Sequence, residues 1–184
     1  MILETERLIL RKFRETDLDD FYAYARDRDV GPSAGWKPHA NKEESREILE
    51  KFMHSADLFA MEFKETGKVI GSVGFHEDKK RDFNEVLMIG YALAKPYWGR
   101  GIMVEGVHAM LDYAFKKLEV RIVSAYHYPF NLQSKRVLEK TGFTYEGTLK
   151  MASLLPNGTI VDDVCYAITK KEYFDALKKA KNQE

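Results

Sequence analysis

The sequence predicts an α/β (α+β) domain: one mixed, mostly antiparallel sheet of six to seven strands with helices on both faces. Three observations predict it. Short apolar runs rich in β-branched and aromatic residues recur from Leu58 to Leu93 with brief polar connections, the pattern of an antiparallel meander. A strand pattern, a long amphipathic stretch and a second strand pattern follow between Glu85 and Tyr128, which makes a β-α-β crossover with parallel strands and a right-handed connection. Asn157-Gly158 between two apolar runs then marks a hairpin.

Each element has its own signal. Leu8 to Phe13 reads as a strand. "RETDLDDFYAYARD" reads as a helix, with Thr16 as N-cap and Leu18, Phe21, Tyr22 and Ala25 at helical spacing. "VGPSAGWKPHAN", Val30 to Asn41, is a loop by its Gly, Pro and Ser content, and Asn41 caps the helix "KEESREILEKFMHS". Leu58–Phe63, Val69–Phe75 and Glu85–Leu93 are strands. Ile102 to Leu118 is a helix whose stripe holds Met103, Val107, Met110, Leu111, Ala114, Phe115 and Leu118. "VRIVSAYHY" is a strand, and "NLQSKRVLEKTG" is a short helix ended by Gly142. The hairpin strands "FTYEGTLKMASLL" and "TIVDDVCYAIT" and the helix "KKEYFDALKKAK" complete the order.

The 184 residues suit a single domain over 1–184, and no repeat or linker interrupts them. Lys+Arg and Asp+Glu balance at 29 each, so no net positive field holds nucleic acid. One cysteine, Cys165, gives no disulfide framework and no thiolate zinc site; it reads as a small buried hydrophobe. No apolar run is long enough for a membrane span, and the N-terminus lacks a signal-peptide core. The expectation is a cytoplasmic protein without metal, nucleic acid or membrane partners, as a monomer or a homodimer.

The segment "LAKPYWGRGIMVEGVHAMLDYAFKKL" spends two glycines, Gly99 and Gly101, where an apolar run stops and a helix starts. That junction leaves backbone N–H groups free at a helix N-terminus, and glycine removes the Cβ atoms that would block an anion. Two phosphate loops do not match: the P-loop needs a Lys followed by Ser or Thr where "IM" stands, and the dinucleotide fingerprint needs a third glycine at Val104.

"LAKPYWGRGIMVE" resembles the pyrophosphate-binding segment of the GNAT N-acetyltransferase superfamily, Q/R-x-x-G-x-G/A, over Trp98, Gly99, Arg100, Gly101, Ile102 and Met103. Trp98 replaces the first Gln/Arg, as is common in the Rim-type branch that modifies protein N-termini; Met103 replaces Gly or Ala. "LETERLILRKFRETDLDDF", "PFNLQSKRVLEKTGFTYEGTLK" and "NGTIVDDVCYAIT" resemble the opening, second signature and closing hairpin of that branch. The resemblance covers nearly the whole chain, in order.

That resemblance implies acetyl-CoA-dependent transfer of an acetyl group to a primary amine, on a protein N-terminus or a small molecule. It implies a sheet that splays beside Tyr91, Ala92 and Leu93 near a β-bulge, with the pantetheine arm in the gap and Gly90 at the bulge or a close approach. The pyrophosphate would meet the backbone from Gly99 to Val104, with Arg100 as an added charge. Asn131 would contact the cofactor arm, or act only as an N-cap. Ser134 would protonate the leaving thiolate, because Leu138 stands where many relatives carry a tyrosine. Trp36 and His39 would face the acceptor. Both carboxylates usual in the branch are missing: Met88 and Ser153 occupy their positions. His76, His127, Glu146 and Asp162 read as structural, so no base is assigned. A second reading is a non-catalytic CoA-sensing or ligand-binding module on the same scaffold.

Overall fold

The computed structural model describes residues 2–182. Among them, eight strands form one sheet: β1 (Leu3–Glu4), β2 (Leu8–Arg11), β3 (Leu58–Phe63), β4 (Lys68–His76), β5 (Val86–Leu93), β6 (Ile122–His127), β7 (Thr144–Leu154) and β8 (Ile160–Thr169). Their spatial order is β1-β2-β3-β4-β5-β6-β8-β7. Seven are the expected strands; β1 is only two residues long, too short to show a period. The helices are α1 (Leu18–Ala25), α2 (Gly31–Ala34), α3 (Lys42–His54), α4 (Ile102–Lys116), α5 (Leu132–Lys140) and α6 (Lys170–Lys181). None among the described residues is long and apolar enough to cross a membrane.

Strand alternation builds two cores. On one face, Leu8, Leu10, Met61, Val73, Ile89 and Val123 pack beneath the apolar stripe of α4, with Leu138 of α5 and Tyr173 of α6. On the other, Ala60, Val69 and Ala92 pack beneath Phe21, Tyr24 and Leu49 of α1 and α3. Met110 and Leu111 of α4 are fully buried. Burial at roughly 1.5–3 kcal/mol per large side chain fixes that helix on the sheet.

Two local expectations are corrected. Thr16 does not cap α1: it lies inside a 3-10 turn, and the helix follows from Asp17 with no side-chain cap bond. The Asp17 carboxylate accepts the Arg14 backbone N–H at 2.8 Å and both terminal nitrogens of buried Arg11 at 2.8 Å, so a 3-10 turn over Glu15–Asp17 precedes the helix. The stretch from Val30 to Asn41 is not all loop: Gly31 to Ala34 form the single helical turn α2, with Pro32 in its opening positions, and Gly35 ends it at φ +89°. That turn leans across the sheet. A Cβ on Gly35 would lie 2.6 Å from the Tyr128 hydroxyl, and the Asn131 Nδ2 donates to the Ser33 carbonyl at 2.8 Å.

The parallel contact of β5 and β6 is short. Val86, Leu87 and Met88 pair with Ile122, Val123 and Ser124, and beyond them the strands run apart. This is the expected splay, but no bulge makes it. The β4–β5 register continues unbroken from Gly71↔Leu93 to His76↔Met88.

Candidate active site

The gap between β5 and β6 opens into a cavity of about 560 Å³. Every residue expected at the site lines it except Arg100 and His39. The Arg100 guanidinium turns away and lies 5.4 Å from the Tyr97 ring centroid and 5.7 Å from that of Phe63. His39 is buried beneath α3: its Nδ1 lies 2.7 Å from the Ser45 Oγ and its ring meets Phe21 edge-on at 5.5 Å. Burial lowers its imidazole pKa, and Glu44 opposes the shift. It anchors the loop and does not line the cavity.

The glycine loop has the geometry its composition calls for. Gly99 and Gly101 both sit at φ +73°, left-handed backbone that a side chain would strain. A Cβ on Gly99 would meet nothing within 4 Å, so the loop faces open space. Helix α4 has no side-chain cap, and among the described residues the N–H groups of Gly99 to Val104 find no backbone acceptor. The Trp98 indole N–H donates to the Leu93 carbonyl at 2.7 Å and fixes the loop against the end of β5.

Along β5, the 2.7 Å bond from the Ala94 N–H to the Ile70 carbonyl sets the alternation of backbone groups. Ala92 and Gly90 bond toward β4. Ile89, Tyr91 and Leu93 turn their backbone groups to the gap. Ala92 therefore reaches the cavity through its side chain and not as a pairing partner.

Asn131 is the N-cap of α5. Its Oδ1 accepts the Ser134 N–H at 3.0 Å, while its Nδ2 holds the α2 turn. Its side chain organises the cavity wall. The Ser134 Oγ lies 3.0 Å from the Tyr91 Oη, which also lies 3.3 Å from the Ser134 carbonyl. Burial pushes the Tyr91 phenol pKa up, with Ser134 opposing, so the phenol stays protonated at neutral pH. The sequence pointed to the backbone of Tyr91 and missed its hydroxyl, although the alternation Ile89-Tyr91-Leu93 was legible as the face under α4 and α5.

Four more residues line the cavity: His76 and His127, which read as structural in the sequence, and Arg136 and Lys140, which went unread. His127 is buried; its Nδ1 engages the Tyr128 carbonyl at 2.8 Å, and its Nε2 has no partner. With the proton on Nδ1, that Nε2 is an acceptor awaiting a donor. Arg136 and Lys140 of α5 bring positive charge, and no Asp or Glu lines the cavity among the described residues. His76 lines the opposite side.

The carboxylates weighed in the sequence are held elsewhere. Both Glu146 carboxylate oxygens accept from the Arg81 Nη2 at 2.7 Å, and the Asp162 Oδ1 accepts the Met151 N–H. Ser153 donates to buried Asp163 at 2.7 Å. No cluster of three His, Cys, Asp or Glu side chains among the described residues is arranged to hold a metal.

Residues 7–144 match the acetyltransferase (GNAT) domain family. An uncharacterised N-acetyltransferase, p20, of Bacillus licheniformis is 30% identical over 176 residues, covering 93% of this chain and 97% of that one. The [ribosomal protein uS5]-alanine N-acetyltransferase of Escherichia coli (strain K12) is 25% identical over 93% of this chain and 92% of its own length. A crystal structure of a GNAT-family acetyltransferase from Bacillus anthracis superposes with a TM-score of 0.82 at 29% identity, covering 93% of this chain and 99% of that one. The chain belongs to the GNAT family of N-acetyltransferases, which transfer an acetyl group from acetyl-CoA to an amine.

Proposed function

We propose that this N-acetyltransferase acts on a weakly basic primary amine carried by an apolar or aromatic body, the α-amine of a peptide being the form that fits best. The observation that carries this is the acceptor wall. Val30, Trp36, Phe52, Leu58, Tyr126 and Tyr128 line it, and no carboxylate joins them. A polyamine would bring a second ammonium with no partner there, and an unpaired charge in such a wall is costly. An α-amine, with a pKa near ~8 against ~10.4 for lysine, is also more easily neutralised before attack. The Escherichia coli relative, by its name an acetylase of an alanine of a ribosomal protein, supports the same class.

The residues present fit acetyl-CoA, which supplies the thioester when bound. The free N–H groups from Gly99 to Val104 and the positive end of α4 receive the pyrophosphate. Arg136 and Lys140 add cations for phosphate. The Ile89 carbonyl, the Tyr91 backbone and the Leu93 N–H, all on the gap side, receive the arm as an added strand would. His127 Nε2, otherwise unpartnered and buried, accepts a further N–H. The Tyr91–Ser134 hydroxyl pair donates a proton to the sulfur as the acetyl group leaves.

Thiol release from acetyl-CoA across a panel tests the acceptor class: peptides with small N-terminal residues, arylalkylamines, spermidine and an aminoglycoside. The highest kcat/KM belongs to the peptides or arylalkylamines. Spermidine as the best acceptor would overturn the reading.

A further inference from the structure

We propose that His76 is the base that takes the proton from the acceptor ammonium. The inference rests on acetyl transfer to an amine and does not depend on which amine is the natural one.

The position is set by register. The branch's usual glutamate is replaced by Met88, and His76 at the end of β4 is the cross-strand partner of Met88 in the unbroken β4–β5 ladder. Directly opposed residues share a face of the sheet. Here it is the face of Ser72, Gly90 and Ala92, toward α1 and α3, where the acceptor wall lies. Ser153, at the other vacated position, gives its hydroxyl to buried Asp163, and neither residue lines the cavity.

The ring then leaves its own register position. A Cβ built on Gly90 would lie 2.9 Å from the His76 Nε2 and 3.1 Å from its Cδ2. The imidazole therefore crosses β5 and rests over Gly90, next to the strand segment whose gap-facing groups receive the thioester arm. Gly90 does not have a positive φ, so its backbone does not demand glycine. The space for the imidazole does. This is the close approach that the glycine signalled, in place of the bulge.

The ring is also free to work. His39, His54 and His127 each commit a ring nitrogen to a hydrogen bond, whereas the His76 ring makes none among the described residues. It is accessible to solvent, which lets it return its proton. Strand β5 faces it with Met88, its cross-strand partner, and Gly90. Asp57, in the turn before β3, is the charged group that acts on it. The surrounding protein lowers its pKa from the ordinary value and Asp57 opposes this, leaving the imidazole neutral at neutral pH.

The balance closes without another reagent. Neutral His76 accepts one proton from the ammonium, and the freed nitrogen lone pair forms the bond to the thioester carbonyl carbon. When the carbon–sulfur bond breaks, the second nitrogen proton leaves with the amide's formation. The Tyr91–Ser134 pair relays it to the thiolate from the opposite face of β5. His76 then releases its proton to solvent, so one amide, one thiol and one proton result.

The test compares wild type with His76→Gln in kcat/KM against pH for two acceptors, an alkylamine and an arylamine that is already neutral. For the alkylamine at pH 7 the loss is roughly 10²–10⁴-fold, the range for general base work, and it shrinks as pH approaches the amine's own pKa. The arylamine loses far less. In His76→Ala, added imidazole restores part of the alkylamine rate. The acetyl-CoA Kd and Tm of His76→Gln match wild type. Gly90→Ala displaces the ring without removing it, and it reproduces the alkylamine-selective loss even if the His76 variants fold poorly. Parallel pH profiles, or equal losses for both amines, would overturn the assignment. Wild-type turnover, measured first, reports on acetyl transfer itself; the pH signature reports on His76.

Discussion

Replacing Gly101 separates the loop's backbone demand from its role toward anions. Gly101 caps α4 at φ +73° and ψ 3°, and a Cβ there has only the Arg7 Nη2 within 4 Å, at 3.7 Å. Gly101→Ala therefore meets no clash, and its cost is left-handed backbone, about 1–2 kcal/mol. For a chain of this length that lowers Tm by roughly 2–8 °C. Gly101→Asp melts no lower, because Asp tolerates this region better and Arg7 faces its carboxylate. Coenzyme A binding is where the two variants part. Two like charges 4 Å apart at an effective dielectric of 20 repel by about 4 kcal/mol. If Arg7 offsets half, about 2 kcal/mol remains, or roughly 30-fold in Kd beyond the Ala variant. Calorimetric titration with coenzyme A and a melt without it measure both quantities. A folded Asp variant with the affinity of the Ala variant would mean that Gly99 to Val104 form only a turn.

Tyr91→Phe and Ser134→Ala each leave the other hydroxyl in place, so the single losses in kcat are modest; the double variant loses roughly 10²–10⁴-fold with near-normal acetyl-CoA affinity. An unchanged kcat in the double variant would remove the pair from the chemistry. Trp36→Ala raises the acceptor KM and spares that of acetyl-CoA. Trp36→Phe, which gives up only the 3.3 Å bond from the indole to the Ala25 carbonyl, is milder; an equal rise in both KM values in the Ala variant would contradict the acceptor role. Stability in urea falls as pH drops below ~6.5, because the imidazoles of His39, His76 and His108 titrate lower in the folded protein and the unfolded chain binds more protons there. His39→Gln flattens that slope between pH 7 and pH 5; an unaltered slope would show that burial of His39 carries no linkage.

What the sequence revealed follows from period. The stripe from Met103 to Phe115 was visible because burial of one helix face repeats at 3.6 residues, and the meander because its strands, buried on both faces, are short apolar runs between brief polar turns. β1 has two residues and no period. The turn α2 is a single turn with Pro32 in its opening positions, below the length at which spacing is read. Thr16 looked like a cap because sequence shows residue type and not partners: the chain there closes into a 3-10 turn around Asp17, which Arg11 holds, a contact that β2 makes possible only after folding. At the site, Gly99 and Gly101 were legible because glycine before a helix has few purposes. His76, His127 and Arg136 were not, because single polar residues become a site only when the sheet aligns strands far apart in the chain. His39 and Arg100 were credited with the cavity by position and lost it by orientation, one turned into a core and one onto two aromatic rings.

Strand β5 organises the chemistry through its period of two. Its odd residues point Tyr91 at α5 and turn their backbone to the gap; its even residues place Met88 and Gly90 beneath His76 and hold the ladder to β4. The proton donor and the base therefore stand on opposite faces of the same strand, with the arm-binding edge between them. A slip of one residue would exchange the faces, sending Tyr91 toward the acceptor and opening the space under α5. A bulge in β5 between Met88 and Tyr91 would do the same to whatever lies beyond it. The unbroken register from Gly71↔Leu93 to His76↔Met88 is thus a requirement of this arrangement. The splay is instead produced by ending the β5–β6 ladder at Met88 and Ser124, which frees one edge of β5 and leaves the other fixed.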